Sequence, residues 1–338
     1  MAAPEPLARG RARMSAGPAV GPHRLPFAKL HGLGNDFVIV EDFEVRWEPA
    51  PEEVARICDR HFGVGADGLI LARPSERPDC AAYMHFFNAD GSLAQMCGNG
   101  IRCFAKFLVD RGLAMPVDGR LTLDTPAGPR ALAVELNAAG RLVRATVEMG
   151  APQLELERVP VDAARARRVS PVGGDAPGAA RGSTVELDSP WGAFEFICVS
   201  MGNPHAVCLI EDWAVMPVTL FAQGAERGLA GFDLARVGAF FEGHPAFPER
   251  VNVEFVDVAT VPAALSMRVY ERGVGETLAC GTGACAVAVA GALTGRSGER
   301  VAVRLPGGEL QVAWAGGAEP VYMTGPAEES FSGELVLP

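Results

Sequence analysis

Two stretches of the chain repeat one pattern of apolar and polar positions. Residues 84–108 begin as a strand-like run, pass through a polar turn and Cys97-Gly-Asn-Gly, and continue as an apolar helix. Residues 268–290 follow the same order, with a strand, a glycine turn, Cys280-Gly-Thr-Gly and an alanine-rich apolar segment. Period-two alternation indicates a strand, and apolar residues at helical spacing indicate a buried helix. We therefore predict two similar units that face each other across a pseudo-twofold axis.

The remainder of the chain is mostly strand-like. Two apolar runs flank a glycine loop within residues 27–40, a short helix is expected at 51–61, and alternating segments fill 121–149 and 301–337. Residues 152–190, rich in Pro, Arg, Ala, Gly and Asp, are expected to form a mobile surface connection. Residues 1–25 have neither periodicity nor an apolar signal segment, and we expect a disordered extension.

Composition narrows the class of protein. The 338 residues are 49% hydrophobic and 21% charged, which is typical of a soluble globular chain with room for two domains. A net charge of −11 gives no electrostatic footprint for nucleic acid or an acidic membrane, and no apolar run is long enough to span a bilayer. None of the eight cysteines forms a Cys-x-x-Cys or zinc spacing. We expect reduced thiols in a cytoplasmic protein without a metal site.

Cys97 and Cys280 each stand where a glycine-rich turn opens into a helix. Free amide groups and the positive helix end are expected there to lower the pKa of a thiol, and also to bind a carboxylate. Two such thiols facing one cleft suit a reaction in which one removes a proton from carbon and the other delivers one to the opposite face. The alternative is a coincidence of two helix caps. A pyridoxal Schiff base needs a lysine, and Lys29 in a strand and Lys106 in an apolar helix do not look placed for it. We therefore expect no cofactor.

Six ordered segments resemble the diaminopimelate epimerase family. They are His31-Gly-Leu-Gly-Asn-Asp-Phe37, Phe87-Asn-Ala-Asp-Gly91, Met96-Cys-Gly-Asn-Gly-Ile-Arg-Cys-Phe104, Met201-Gly-Asn-Pro-His205, Pro248-Glu-Arg-Val-Asn252, and Val269-Tyr-Glu-Arg-Gly273 through Ala279-Cys-Gly-Thr-Gly283. The resemblance runs from about Phe27 to the C-terminus.

The resemblance implies an α/β (α+β) fold of two pseudo-symmetric domains, each a curled, mostly antiparallel sheet around a central helix. The first domain would comprise residues 26–141 with 326–338, and the second residues 142–325. The implied enzyme is an isomerase that converts LL- into meso-diaminopimelate without pyridoxal phosphate, in lysine and peptidoglycan precursor synthesis. A homodimer is also implied.

The same resemblance assigns roles to individual residues. Cys97 and Cys280 would be the catalytic bases, and the backbones of Gly98, Asn99, Gly281 and Thr282 would hold the reacting carboxylate. The ammonium groups and the distal carboxylate would be read by Asn35, Asn88, Asn203, Asn252, Glu271 and Arg272. His205 would lie nearby, as a site residue or as a structural histidine of its turn. Some relatives have Gln in place of Gly68, so one side-chain contact to substrate is expected to be missing.

Two other functions compete with this interpretation. Another cofactor-independent racemase of the same fold, such as a proline racemase, would not need Glu271, Arg272 and the asparagines, because a monocarboxylate has no distal carboxylate to bind. A non-catalytic relative, or a thiol redox protein that links Cys97 to Cys280, belongs to a different class.

Overall fold

The computed structural model describes residues 23–94, 96–174, 180–261 and 264–337. Within them lie four α-helices, which are α1 Pro51–Cys58, α2 Gly98–Asp110, α3 Leu234–Glu242 and α4 Gly281–Leu293. The first nine strands of these residues are β1 His23–Gly32, β2 Asn35–Glu41, β3 Gly68–Arg73, β4 Tyr83–Asn88, β5 Arg120–Leu123, β6 Arg130–Leu136, β7 Leu142–Glu148, β8 Arg168–Gly173 and β9 Arg181–Ser189. The other nine are β10 Gly192–Ser200, β11 Pro204–Ile210, β12 Asn252–Val261, β13 Ala264–Glu271, β14 Gly275–Thr277, β15 Arg300–Leu305, β16 Gly308–Ala313, β17 Tyr322–Pro326 and β18 Glu328–Leu337.

The smaller of the two sheets in this part of the chain has the strand order β18-β1-β2-β3-β4. Successive side chains of a strand point to opposite faces. Phe37 and Ile39 accordingly pack in the core that contains α2, whereas Val38 and Val40 pack with residues of α1. Because both faces of β2 are covered, its residues 36–40 are all buried. The small sheet thus presents the N-terminal end of α2 beside the β1–β2 turn.

The larger sheet of the described residues has the order β5-β6-β7-β17-β16-β15-β13-β12-β11-β10-β9-β8, with β14 paired to β13. The helix α4 packs against one end and the middle of this sheet, on strands that include β8, β10, β13 and β17. A helix that is apolar on all sides must be buried, and eleven of the thirteen residues of α4 are buried. On the other side of the sheet, α3 closes a core that includes Phe194, Phe196, Phe241 and Phe255.

Close contacts join the two halves. The β1–β2 hairpin turns through Leu33 and Gly34, whose φ values of 57° and 87° are both positive, as a type I′ turn requires. Opposite this turn lies Gly307, where a Cβ would be 1.9 Å from the Leu33 carbonyl oxygen, so only glycine fits there. The Gly307 amide donates to the Leu278 carbonyl, which lies two residues before Cys280. The turn that carries Asn35 is thereby held against the segment that carries Cys280.

The structure confirms the predicted fold class and corrects two expectations. The chain is α/β, mostly sheet, with one buried thirteen-residue helix after each Cys-Gly-x-Gly. The prediction of a mobile connection at 152–190 is wrong for β8 and β9, which pair with each other and extend the large sheet to its edge. Exposed edge strands carry polar and charged residues, and that composition explains why the segment resembled a loop.

The predicted disordered extension, residues 1–25, reaches too far along the chain. Residues 23–25 belong to β1 and pair with residues 335–337 of β18, while residues 1–22 lie outside the described residues. The predicted domain boundary between 141 and 142 falls just before β7, which pairs with β6 in one continuous sheet. Because the sheet continues across this boundary, the structure does not separate the two predicted domains there, and their limits remain a prediction.

Candidate active site

Cys97 and Cys280 are the N-cap residues of α2 and α4. Both have extended backbone conformations, with φ and ψ of −139° and 124° for Cys97 and −122° and 111° for Cys280. Each sulfur accepts a hydrogen bond from the amide three residues on, Gly100 or Gly283, at 3.4 Å. An N-cap side chain normally satisfies a free amide of the first turn in this way. The predicted repeat is therefore a repeat of local geometry as well as of sequence.

One cleft of about 1260 Å³ contains both cysteines. Ten of the predicted site residues line it, namely Asn35, Asn88, Cys97, Gly98, Asn99, Asn203, Glu271, Cys280, Gly281 and Thr282. The first turns of α2 and α4 meet below the cleft on Met323. A Cβ at Gly98 would be 2.8 Å from the Met323 Cε, and one at Gly281 would be 3.2 Å from its Sδ. Glycine at both positions lets the two helix ends pack closely on one methionine without displacing it.

Amide side chains connect Cys97 to the opposite half. The Cys97 Sγ lies 3.6 Å from Asn35 Oδ1 and donates to it. The same oxygen accepts from Asn99 Nδ2 at 3.1 Å, and Asn99 Nδ2 also lies 3.4 Å from the carbonyl oxygen of Ala279. The Asn99 side chain thus links the Cys97 half-site to the residue that precedes Cys280.

Asn35 is held from its other end by a carboxylate. Its Nδ2 donates to Asp67 Oδ2 at 2.6 Å, and Asp67 accepts from Arg60 at 2.7 Å. Arg60 also makes two hydrogen bonds to Asp36. Burial raises the pKa of the Asp36 carboxyl, but Arg60 and Lys29 together lower it by more, so that this pKa lies below its ordinary value. Arg60 and Asp67 line the cleft. Sequence reasoning missed both, although Asp67 directly precedes Gly68, where this chain differs from some relatives.

Carboxylates surround the Cys280 side of the cleft. Glu271 accepts a hydrogen bond from Thr277. Burial raises the pKa of Glu271 by more than its interactions with Thr277 and Cys280 lower it. Burial raises the pKa of Cys280 well above its usual value, and the charges of Glu271 and Glu254 raise it further, against hydrogen bonds from Thr282 and Gly283. Cys280 is therefore the thiol that holds its proton more firmly.

The expectation that the helix ends lower the two thiol pKa values is wrong for this state of the cleft. Burial raises the pKa of Cys97 as well, and the amides of Gly100 and Asn99 lower it by less. Moving a thiolate out of water costs more free energy than the hydrogen bonds of one helix turn restore. Both cysteines are free thiols, and their thiolate fractions rise with pH.

Three predicted residues do not line the cleft. Asn252 is buried and structural in its contacts: its Nδ2 donates to the Pro204 carbonyl and its Oδ1 accepts the Arg272 amide. Arg272 is exposed, with its Nη1 3.2 Å from the Glu249 carbonyl oxygen. The fully buried His205 contacts Asn203 Oδ1 through Nε2 at 3.0 Å and Glu254 Oε1 through Nδ1 at 2.6 Å. His205 therefore lies directly behind an asparagine of the cleft.

Position 68 is closed to any larger side chain. A Cβ on Gly68 would lie 2.6 Å from the Phe87 carbonyl oxygen and 2.7 Å from the Phe86 ring. Phe86 lines the cleft and packs edge-on against Phe37, with ring centroids 5.7 Å apart. In this chain an aromatic pair therefore fills the wall beside Gly68.

Neither lysine of the chain lines the cleft. Lys29 pairs with Asp36 at 2.9 Å, and Lys106 pairs with Asp110 at 2.8 Å. Within the described ranges, no group of three or more His, Cys, Asp or Glu side chains is arranged to hold a metal ion. No helix of those ranges is long and apolar enough to cross a membrane.

Solved structures share this architecture across nearly the whole chain. A probable proline racemase from Agrobacterium radiobacter superposes with a TM-score of 0.59 and a hydroxyproline epimerase from Agrobacterium vitis with one of 0.61. Each is 16% identical, and the match covers 93% of this chain and 93% of the other. At that identity the likeness shows the fold alone: the chain has the two-lobed α/β fold of these racemases and epimerases.

Sequence comparison identifies the family. The family model for diaminopimelate epimerase matches residues 27–155 and 197–329. Among the relatives, the diaminopimelate epimerase of Moorella thermoacetica is 46% identical over 92% of this chain and 99% of its own length. That of Pelotomaculum thermopropionicum is 44% identical over 91% and 98%. The chain belongs to the diaminopimelate epimerase family. The unmatched residues 156–196 include β8 and β9.

Proposed function

We infer that this protein is a diaminopimelate epimerase, an isomerase that inverts one α-carbon of LL-2,6-diaminopimelate to give the meso isomer. Relatives of that name match more than nine-tenths of the chain. The observation that carries the chemistry is the pair of N-cap thiols, Cys97 and Cys280, in one cleft between two helix ends.

We propose a two-base reaction. One cysteine is a thiolate and takes the α-proton, while the other is a thiol and gives its proton to the opposite face of the carbon. After inversion the roles of the two sulfurs are exchanged, so one proton is still shared between the two cysteines. The reverse reaction starts from that state. Proton transfer by positioned groups of this kind contributes about 10²–10⁴-fold to a rate.

The carboxylate on the reacting carbon would lie between the two helix ends. The first amides of a helix have no acceptor within the helix, and the helix dipole favours negative charge there. The backbones at Gly98, Asn99, Gly281 and Thr282 are in the cleft and offer this binding site. Negative charge that develops on the carboxylate as the proton leaves would be stabilised by the same amides.

The far end of the substrate would be read by the polar side chains of the cleft. Glu271 and the oxygens of Asn35, Asn88 and Asn203 can accept from ammonium groups, and the amide nitrogens can donate to the distal carboxylate. Arg272 would provide a bidentate fork for that carboxylate once its side chain leaves the Glu249 carbonyl. Asn252 supports this residue through its backbone, and His205 supports Asn203.

We propose that the reaction proceeds without pyridoxal phosphate, because Lys29 and Lys106 are engaged by Asp36 and Asp110 outside the cleft. We also propose a cytoplasmic homodimer. Light scattering after gel filtration would measure its mass, and a mass near 35.5 kDa would identify a monomer instead.

The function is tested by following LL-diaminopimelate in deuterium oxide by NMR. We expect conversion to the meso isomer, with deuterium at the inverted carbon, because the donating thiol exchanges with solvent. Dialysis against a chelator and treatment with a carbonyl reagent should leave the rate unchanged, and L-proline should not racemise. Absence of inversion, or inversion that retains the original proton in the first turnovers, would contradict the proposal.

A further inference from the structure

Arg102 is the largest fully buried side chain in the described part of the chain, with none of its surface accessible. It lies in the second turn of α2 and folds back beneath the helix N-terminus. Its Nη2 donates to Asn99 Oδ1 at 2.9 Å, its Nη1 to the Gly98 carbonyl at 3.1 Å, and its Nε to the Pro326 carbonyl at 3.3 Å. The guanidinium thus contacts Gly98 and Asn99, which both line the cleft.

No carboxylate of the described residues pairs with this guanidinium. Its oxygen acceptors are two carbonyls and one side-chain amide, and the Met323 sulfur lies at 3.9 Å from Nη1. The other well-buried arginine, Arg73, instead pairs with Asp42 at 3.0 Å and Glu48 at 2.9 Å. A buried charge without a counter-ion is costly, and arginine does not relieve the cost by losing its proton. The fold thus pairs the buried charge of Arg73 with carboxylates and gives the buried charge of Arg102 only neutral acceptors.

The guanidinium fixes the direction of a chain of amides. Because arginine has only donors, Asn99 must present its oxygen to Arg102 and its Nδ2 to Asn35 and Ala279. Asn35 must then turn its oxygen toward Asn99 and Cys97, and its own Nδ2 toward the carboxylate of Asp67. A donor at one end and an acceptor at the other leave both amides a single orientation.

We propose that Arg102 is the positioning residue of the reaction centre, which locks Asn99 across the two half-sites and supplies the positive charge that a thiolate at Cys97 needs. The proposal rests on the two-thiol function inferred above. The titratable groups that interact electrostatically with Arg102 are the thiols of Cys97, Cys103 and Cys285.

Of these three thiols, Cys97 alone lines the cleft. Burial raises the pKa of Cys103 and of Cys285 to about 12, so both stay neutral at physiological pH. Burial and, to a smaller extent, the charge of Glu271 raise the pKa of Cys97, while the amides of Gly100 and Asn99 and the charge of Arg102 lower it. Of the three thiols near the buried cation, Cys97 is therefore the one that can reach substrate.

Three variants separate the two parts of this role. Arg102→Met removes both the charge and the fork, Arg102→Lys keeps a charge without the fork, and Asn99→Ala keeps the arginine but removes the bridging amide. For each, the alkylation rate of Cys97 by iodoacetamide is measured against pH without substrate, with peptide mass spectrometry to assign the site. The kcat and KM for diaminopimelate are measured in parallel.

We expect Arg102→Met to slow alkylation of Cys97 at pH 8 by about tenfold, because less thiolate is present, and to shift its pH profile upward more than that of Cys280. Arg102→Lys should retain most of the wild-type alkylation profile and still lose about 10²-fold in kcat through the lost orientation. Asn99→Ala should lower kcat similarly and leave the alkylation profile in place.

The matched control is Arg73→Met, which removes another buried arginine away from the cleft. It should destabilise the fold without changing either alkylation profile or kcat. A folded Arg102→Met enzyme with an unchanged Cys97 profile and unchanged kcat would overturn the proposal, as would the same upward shift in Arg73→Met. If Arg102→Met does not fold, an upward shift in Arg102→Lys or an unchanged kcat in Asn99→Ala would overturn it. Because alkylation needs no substrate, a wild-type protein inactive on diaminopimelate would refute the proposed function and leave this test intact.

Discussion

The two half-sites share a backbone and differ in their surroundings. Cys97 and Cys280 have the same extended N-cap conformation, and each sulfur accepts the same third-residue amide at the same distance. Cys97 contacts a neutral amide and has a buried arginine behind it. The charges of Glu271 and Glu254 instead raise the pKa of Cys280.

This difference resolves a problem that symmetry would create. Inversion by two bases needs one thiolate and one thiol at the same time, and two identical thiols with raised pKa values would both be protonated at neutral pH. Glu271 raises the pKa of both thiols, Glu254 raises that of Cys280, and Arg102 lowers that of Cys97, so the two pKa values are unequal. We infer that Cys97, which the charge of Arg102 favours as a thiolate, loses its proton at a lower pH than Cys280.

The largest effect is expected from removing one base. Cys97→Ser and Cys280→Ser should each lower the epimerisation rate by about 10²–10⁴-fold, because a hydroxyl cannot replace the thiolate. In deuterium oxide each variant should still exchange the α-proton of one stereoisomer without inverting it, and the two variants should choose opposite isomers. NMR of LL- and meso-diaminopimelate measures both quantities.

Cys80→Ser is the matched control, since Cys80 is a partly exposed free thiol that does not line the cleft. It should keep the wild-type rate. If both cleft variants exchanged the same isomer, the two sulfurs would not lie on opposite faces of the substrate.

A smaller effect is expected from making the half-sites more alike. Glu271→Gln removes a negative charge that raises the pKa of Cys280, second only to burial, and that of Cys97 less prominently. The alkylation profile of Cys280 should therefore move to lower pH, and further than that of Cys97. The kcat/KM should fall by about 10²-fold, because a neutral amide binds the substrate ammonium more weakly than the carboxylate does.

Glu276→Gln serves as the comparison variant. Glu276 lines the same cleft but pairs with Arg268 at 2.7 Å, so its loss should leave the Cys280 profile where it was. An equal shift of Cys280 in both variants would assign the effect to the net charge of the cleft rather than to Glu271.

The smallest effect compares the two glycines on Met323. A Cβ at Gly98 would meet the Met323 methyl at 2.8 Å and the Met149 methyl at 3.1 Å, whereas one at Gly281 would meet only contacts of 3.2 Å or longer. Overpacking costs about 1–3 kcal/mol, and alanine in a helix returns up to about 1 kcal/mol. Gly98→Ala should therefore lower the free energy of unfolding by about 1 kcal/mol more than Gly281→Ala. Urea titrations followed by circular dichroism measure the difference. Equal values would show that the methionine side chains move aside equally easily at the two positions.

Features set by neighbouring residues were predictable from the sequence. The two buried helices, their cysteine N-caps and the β1–β2 turn follow from spacing and turn chemistry within about ten residues. The strands β8 and β9 were missed because β8 lies at the edge of the sheet, where a strand has the polar composition of a loop, and β9 is its neighbour. Asp67 was missed because its partner Asn35 is 32 residues away, and nothing local marks such a pair.

The sequence by itself determined the family, the pair of cysteines at helix starts and the class of reaction, since each depends on motifs read along the chain. Only the tertiary structure decided how firmly each thiol holds its proton, because burial and the approach of Glu271, Glu254 and Arg102 to the two sulfurs depend on packing. Asn99 reaches Ala279 across 180 residues, and Arg102 has its unpaired charge only because of what packs around it. Electrostatic free energies depend on the distance between charges and on their desolvation. The spacing of residues along the chain determines neither.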